Sequence, residues 1–220
     1  NLGFKGSGKS LGVQNTNVWY HPATKDGDIF EPLERYFEDP WSLTDEEGVP
    51  VFITFPSLKD QTYEQEQPGK FTCQILCMAK WEWFAKWEND KAGQRSEEYQ
   101  ALKKRWADKC LGMLHRFYPK LKGKEDFVDI STPLSIEHYL KCPGGGAVGL
   151  EPTPERYGGK EDLLEHLDVV TKVPNLYMTG QDTLICGVVL AQASGIITAF
   201  RVMGFINMIK ITLRTMIHGG

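Results

Sequence analysis

The sequence predicts an α/β fold with an α+β part beside it, and three stretches carry that prediction. Leu176 to Thr179 is short and apolar with a β-branched end, is entered from Pro174 and is left at Gly180. A run of small and aliphatic residues follows from about Gly187 to Phe200, so the order is buried strand, glycine turn and buried helix. Val51-Phe-Ile-Thr-Phe55 and Phe71-Thr-Cys-Gln-Ile-Leu-Cys-Met78 have strand composition, with enough chain between them to pair antiparallel. Ser96 to Pro119 reads as one long amphipathic helix.

The whole-chain totals bound the rest. At 220 residues and a formal charge of −4, the chain is long enough for one large domain or two small ones. No basic stripe marks it for nucleic acid. Cys73, Cys77, Cys110, Cys142 and Cys186 are odd in number and scattered, which reads as a reduced set of thiols. Cys73 and Cys77 share a strand face but lack a second pair or a nearby histidine, so no metal site is expected.

In chain order, Gly3-Phe-Lys-Gly-Ser-Gly-Lys-Ser10 matches the phosphate-loop pattern at every position. That motif works only between a hydrophobic strand and a helix. Two residues precede Gly3, and Leu11-Gly-Val-Gln-Asn-Thr-Asn17 holds a glycine and asparagines where the helix should run. A glycine-rich surface turn is the expectation, with a P-loop nucleotide-binding protein as the competing class.

Val18 to Tyr20 is a short strand, Pro32 to Phe37 a helical turn closed by Asp39-Pro40, and residues 45–50 a polar connector. Pro56 ends the Val51 strand. Trp81, Trp83, Phe84 and Trp87 cluster tightly, and 83, 84 and 87 share one helical face. Core packing explains them, with the wall of an apolar substrate cavity as the sharper alternative. Ser96 is the expected N-cap, with Glu97 and Glu98 in the first turn. Tyr99, Leu102, Trp106, Cys110, Met113, Leu114 and Phe117 form the apolar stripe of that helix, and Pro119 stops it.

Phe127 to Ile130 reads as another strand and Pro133 to Tyr139 as a helical turn. Cys142-Pro-Gly-Gly-Gly-Ala-Val-Gly149 is a nearly side-chain-free segment, either a mobile connector or backbone passing something flat. Residues 150–159 read as a loop and 162–167 as a helical turn. Thr183 to Phe200 carries no charge and reaches the lower length of a membrane span. Gly187, Gln192, Ser194 and Gly195 interrupt its apolarity, so a buried helix against a sheet is expected instead. Arg201, Lys210 and Arg214 punctuate the apolar tail, which suits either a membrane surface or a docked helix.

The strand, turn and helix from 175 to 200 make the candidate site. A helix end beyond a glycine turn presents free backbone N–H groups to an anion or a carbonyl. Gly187 and Gly195 let a flat ligand or a neighbouring strand approach, and the Asp182 carboxylate is placed to accept hydrogen bonds from ligand hydroxyls. The same pattern also serves as plain packing in α/β proteins.

Phe52-Ile-Thr-Phe-Pro-Ser-Leu-Lys-Asp60, Pro68-Gly-Lys70, Glu82-Trp-Phe84 and Asn175-Leu-Tyr-Met-Thr-Gly-Gln-Asp182 together resemble the phytoene desaturase and carotenoid isomerase family of flavoproteins. Tyr139-Leu-Lys-Cys-Pro-Gly-Gly-Gly-Ala-Val-Gly149 with Pro154-Glu-Arg156 is similar to the family's return segment from substrate domain to flavin domain. The resemblance implies the C-terminal portion of a two-domain, FAD-dependent oxidoreductase. Residues 1–131 would be substrate-domain part and residues 132–220 the end of the FAD-binding domain. The family's N-terminal Rossmann unit, with its G-x-G-x-x-G fingerprint, has no counterpart in the sequence. The expectation is therefore a fragment that holds FAD weakly or not at all by itself.

On that resemblance Gly180 permits the turn and Asp182 contacts the ribityl or pyrophosphate region. The helix start at Gly187, Val188 and Val189 points at the N1–C2 edge of the isoalloxazine. The implied activity is saturation of the 13,14 double bond of all-trans-retinol, with carotenoid isomerisation or desaturation as alternatives within the family. The implied partners are an apolar polyene (retinoid or carotenoid), NAD(P)H as a possible electron source, the missing N-terminal part of the same chain and a membrane surface. The implied location is peripheral on the endoplasmic reticulum membrane. Tyr139, Cys142 and Tyr157 lie near the site in sequence, yet none is assigned as proton donor, and the catalytic residues stay unassigned.

Overall fold

The computed structural model describes residues 1–151, 153–157 and 167–218, in two units, Asn1–Gly145 and Gly146–Gly220. In the first unit the order is β1 (Leu2–Lys5), β2 (Val18–Tyr20), α1 (Phe30–Glu38), β3 (Val51–Thr54), α2 (Tyr63–Glu66) and β4 (Lys70–Cys77), then α3 (Glu97–Phe117), β5 (Glu125–Val128) and α4 (Pro133–Leu140). The strands form one antiparallel sheet in the order β2-β3-β4-β1-β5.

Period-two alternation decides which sheet face is dry. Leu2 and Phe4, Val51 and Ile53, Phe71 and Cys73 all point inward and are buried. Phe4 and Phe71 are cross-strand partners whose rings stack at 5.0 Å. Over this face lies α3, opened by Ser96, whose Oγ accepts the Tyr99 amide and the Trp87 indole N–H. It buries Tyr99, Trp106, Met113 and Leu114 and ends at Tyr118, before Pro119.

Trp106 is the centre of an aromatic group. Trp83 stacks on it at 5.5 Å, Trp41 lies at 4.8 Å and Tyr36 meets it edge-on at 6.2 Å. Phe84 and Trp87 are buried in the same core. The 81–87 cluster is therefore core packing, spread over two 3₁₀ turns. Each such ring contributes about 1.5–3 kcal/mol through burial.

Trp19, Phe52 and Leu76 are successive cross-strand partners on the opposite sheet face. The Trp19 and Phe52 rings lie 4.2 Å apart, and Trp19 and Leu76 are 72% and 54% exposed. An apolar row thus runs across the uncovered face.

Several expectations shift. Gly3 lies within β1, and the residues after Ser10 form turns rather than a helix. The helix N-terminus that a phosphate loop requires is absent there. The strand expected at Phe127 to Ile130 is displaced two residues toward the N-terminus because Glu125 and Phe127 pair with β1. The connector at 45–50 is polar only at its start, since Gly48, Val49 and Pro50 are buried.

In the second unit, α5 (Pro154–Tyr157), α6 (Val188–Met203) and α7 (Phe205–His218) are described. A helical turn thus occupies part of the loop expected at 150–159. The helical turn expected at 162–167 falls, apart from Leu167, outside the described residues.

Leu176 to Thr179 is not the buried strand its composition predicts. Its bridge partner is Val170, opposite Tyr177, around a turn where Asn175 takes φ 64°. Leu176 and Met178 are exposed, because two paired strands without a covering layer bury little. The helix expected to be buried from 183 to 200 starts at Val188 and is also largely exposed, with Ser194 as its buried residue.

Among the described residues no single helix is long and apolar enough to cross a membrane. The pair α6 and α7, bent by 120° at Gly204, has the combined length and composition of a broken span. Its apolar side chains, Phe205, Ile206 and Leu213 among them, are exposed.

Candidate functional site

The turn from Gly180 to Gly187 connects the 170–177 hairpin to α6 and is fixed from two directions. On one side α6 supplies Ser194 and Thr198, one turn apart. Ser194 Oγ accepts the Gly180 amide at 2.7 Å and lies 3.0 Å from the Gly180 carbonyl. Thr198 Oγ1 reaches the Met178 carbonyl at 3.2 Å. Gly195, between them in sequence, faces Thr179, and a Cβ there would sit in ordinary contact with Thr179 Oγ1 at 3.8 Å, so the expected close approach does not require a glycine.

On the other side lies the segment from Gly149 to Tyr157. Arg156 donates through Nη2 to the carbonyls of Asp182 and Thr183, and Tyr157 donates its hydroxyl to the Leu184 carbonyl at 2.5 Å. A guanidinium meeting two adjacent carbonyls holds the turn in one conformation. Asp182 answers in kind: its Oδ1 accepts the Leu150 amide at 3.0 Å. That carboxylate, expected to face ligand hydroxyls, already has an internal donor on one oxygen. Thr183 is buried, and its hydroxyl has no hydrogen-bond partner among the described residues.

Gly180 takes φ 91° and Gly187 φ 109°. Nothing lies within 4 Å of where a Cβ would be at either position. Gly187 is the N-cap of α6 and has no side-chain cap, and the first turn holds no acidic residue. The first N–H groups of a helix have no intrahelical acceptor. The residues that carry them, Val188 and Val189, are 74% and 76% exposed. This end of α6 is an uncapped donor array carrying the positive end of the helix dipole.

The structure therefore gathers Gly180, Asp182 and the Gly187–Val189 end on one braced connection. Sequence reasoning passed over Arg156, Tyr157, Ser194 and Thr198 as the bracing residues. The available signal was a hydroxyl pair four apart on a helix otherwise made of small and aliphatic residues. Of the residues weighed as proton donors, Tyr157 is engaged with Leu184, and Tyr139 is 79% exposed. Among the described residues no cluster of three or more His, Cys, Asp or Glu is arranged to hold a metal. Among the described residues, two open clefts lie in the first unit, one beside Phe30 and Lys80 and one beside Arg95 and His138; neither is lined by the 180–189 connection.

Against known proteins, the chain is 32% identical over 186 residues to the all-trans-retinol 13,14-reductase of Danio rerio, covering 84% of this chain and 30% of that protein. It is 29% identical over 199 residues to the human protein of the same name, covering 90% of this chain and 32% of that one. A second Danio rerio relative, named an inactive all-trans-retinol 13,14-reductase, is 28% identical over 201 residues, or 91% of this chain and 32% of that relative. The chain thus spans about a third of the length of the relatives it matches. No family model and no solved structure matches it.

Proposed function

We propose that this chain, a homologue of the all-trans-retinol 13,14-reductases, is the C-terminal portion of a flavin-dependent oxidoreductase that saturates the 13,14 double bond of a retinoid. The observation that carries the flavin reading is the open end of α6. Gly187, Val188 and Val189 offer backbone donors with no carboxylate in the first turn to repel an electron-rich ring edge. The bare backbone at Gly180 and Gly187 leaves room for a planar group. The residues present thus fit the pyrimidine side of a flavin. Gly187 to Val189 would face that edge, and Asp182 would hold the polar chain through the oxygen not used by Leu150.

FAD, when bound, supplies the hydride chemistry. This chain contributes electrostatics and rigidity. A helix N-terminus stabilises a nearby anion by about 0.3–1 kcal/mol when exposed and up to ~2 kcal/mol when partly buried. That bias favours the reduced, negatively charged form. The Arg156 and Ser194 bonds hold the donor array still, so the charge meets dipoles already oriented.

For the polyene, the Trp19–Phe52–Leu76 row offers a flat apolar wall suited to a long, rigid hydrocarbon. The Trp81 to Trp87 group is committed to the core and is not that wall. The exposed apolar side chains of α7 with Lys210 and Arg214 suit peripheral attachment to a membrane, where such substrates dissolve. On the family resemblance alone, we extend the proposal to a peripheral location on the endoplasmic reticulum membrane and to NAD(P)H as the reductant of the flavin.

The test is made on the full-length protein that carries this chain. Purified, it is expected to show the visible absorption bands of bound flavin and to convert all-trans-retinol to its 13,14-dihydro product when a reductant is supplied. A colourless protein after incubation with FAD overturns the cofactor reading. A flavin-loaded protein that yields an isomer or a more conjugated product assigns the isomerase or desaturase chemistry instead.

A further inference from the structure

A second feature, remote in sequence from the α6 connection, lies in the first unit. Arg95, Gln100, Lys103, Asp129, Ser131 and His138 line a cleft of about 270 Å³ formed by the N-terminal half of α3, the segment before α4, and α4. Arg95 and Lys103 are half-buried, and both lie over the same ring: the guanidinium is 5.1 Å and the ammonium 5.8 Å from the centroid of Tyr99. Tyr99 is itself fixed, buried and hydrogen-bonded through its hydroxyl to Thr132 at 2.7 Å.

Two cations close to one aromatic ring repel each other, and removal from bulk water raises that cost. Elsewhere in this unit Lys5, Arg35 and Lys86 are paired with carboxylates, Asp126, Glu31 and Glu98, while Lys109 donates to the Leu43 carbonyl. Among the described residues neither Arg95 nor Lys103 makes an ion pair. The acid in the cleft, Asp129, has its Oδ2 accepting from Asn1 at 3.3 Å. Two cations against one carboxylate leave the cleft net positive, with Ser131 and Gln100 supplying neutral donors and His138 a ring nitrogen.

We propose that this cleft binds a phosphate group. An arginine fork, a lysine point charge and neighbouring hydroxyl and amide donors are the complement of a phosphate dianion, and its volume admits a phosphate with a small substituent. The buried Tyr99 ring, held by Thr132, gives both cations a fixed neighbour before the ligand arrives. The phosphate comes from either a soluble phosphorylated molecule or a lipid headgroup, and the test separates them.

The full-length protein is titrated with pyrophosphate by calorimetry at low ionic strength and mixed with vesicles of phosphatidylcholine alone or with phosphatidic acid. Saturable pyrophosphate binding, weakened about tenfold or more in Arg95→Gln and in Lys103→Gln, supports the site with a soluble ligand, the loss matching one charge-assisted hydrogen bond. Co-sedimentation with phosphatidic acid vesicles but not phosphatidylcholine, lost in the same two variants, supports the site with a lipid source. Lys70→Gln, on an exposed strand end away from the cleft, is expected to change neither. Both cleft variants keep Tyr99 and Thr132, and unchanged circular dichroism melting confirms that they fold. No saturable binding of either probe, or binding equal in wild type and both variants, overturns the proposal.

Discussion

The Ser194 hydroxyl lies between the amide and the carbonyl of Gly180, at 2.7 and 3.0 Å, and is completely buried there. One side chain of α6 thus closes both polar groups of a turn residue fourteen positions earlier in the chain. Its proton has two acceptors within reach, the Gly180 carbonyl and the Ala191 carbonyl at 2.8 Å. Replacing Ser194 with alanine leaves the Gly180 amide without its acceptor. The expected cost is about 1–3 kcal/mol. Hydrogen exchange of the Gly180 amide should quicken while amides in the β3–β4 ladder keep their protection. Unchanged exchange at Gly180 would refute the bracing role.

Gly187 tests the helix end itself. With φ 109° and ψ 150°, it occupies a region that side-chain-bearing residues avoid. Since no atom lies within 4 Å of where an added methyl would sit, the effect of Gly187→Ala is conformational rather than steric. A loss of about 1–3 kcal/mol is expected in the second unit. In the full-length protein the same change should release flavin more readily, read as a faster loss of cofactor fluorescence quenching on dilution. Flavin retention equal to wild type would separate this helix end from the cofactor.

Acid should act on the first unit through Glu47. Its carboxylate accepts the amide and hydroxyl of Thr44 at 2.9 and 3.0 Å and an Arg35 guanidinium N–H. The Thr44 amide first, and then Arg35, hold it down to about 2 from an ordinary 4.5. A depressed carboxylate stabilises the fold above its unfolded value, and that contribution fades as pH falls from 4.5 toward 2. Glu47→Gln should therefore be less stable at neutral pH, with a flatter decline below pH 4.5 in denaturation midpoints. A parallel decline in both proteins would rule this group out.

The cysteines should divide by accessibility. Cys73 is fully buried on β4, and burial pushes its thiol up to about 12, so little thiolate forms. Cys186, one residue before the α6 cap, is exposed. Iodoacetamide at mildly alkaline pH should label Cys186 in the native protein and reach Cys73 only after denaturation. Peptide mass spectrometry reads both. Early labelling of Cys73 would contradict the packing of β4.

Local patterns were legible where local physics decides. The Ser96 cap, the stop at Pro119 and the antiparallel match of Val51 to Thr54 with Gln74 to Cys77 all follow from short-range rules. Long-range pairing was not legible, as Gly3 shows. Its neighbourhood spells a phosphate loop, yet it is a strand residue opposite Thr72 and Phe127, distant in sequence. In the second unit, Leu176 and Val188 have the composition of buried residues but are exposed. Apolarity records a preference for burial, and what satisfies it need not lie within the described residues. For the candidate site, the glycines and Asp182 were readable as a turn. The braces were not, because Arg156 and Ser194 act on backbone carbonyls and amides, which leave no trace in residue spacing.

The placement of β1 between β4 and β5 has a consequence for how this unit is made. Residues 2–5 leave the ribosome well before their partners, and their ladders wait for residues 70–73 and 125–128. Loop closure over such separations is slow, and until it happens Leu2 and Phe4 are bare. The β2-β3-β4 meander can fold while synthesis continues, but β5 joins the sheet only through β1. Removing residues 1–5 should leave a three-stranded remnant with an open hydrogen-bonding edge, prone to self-association.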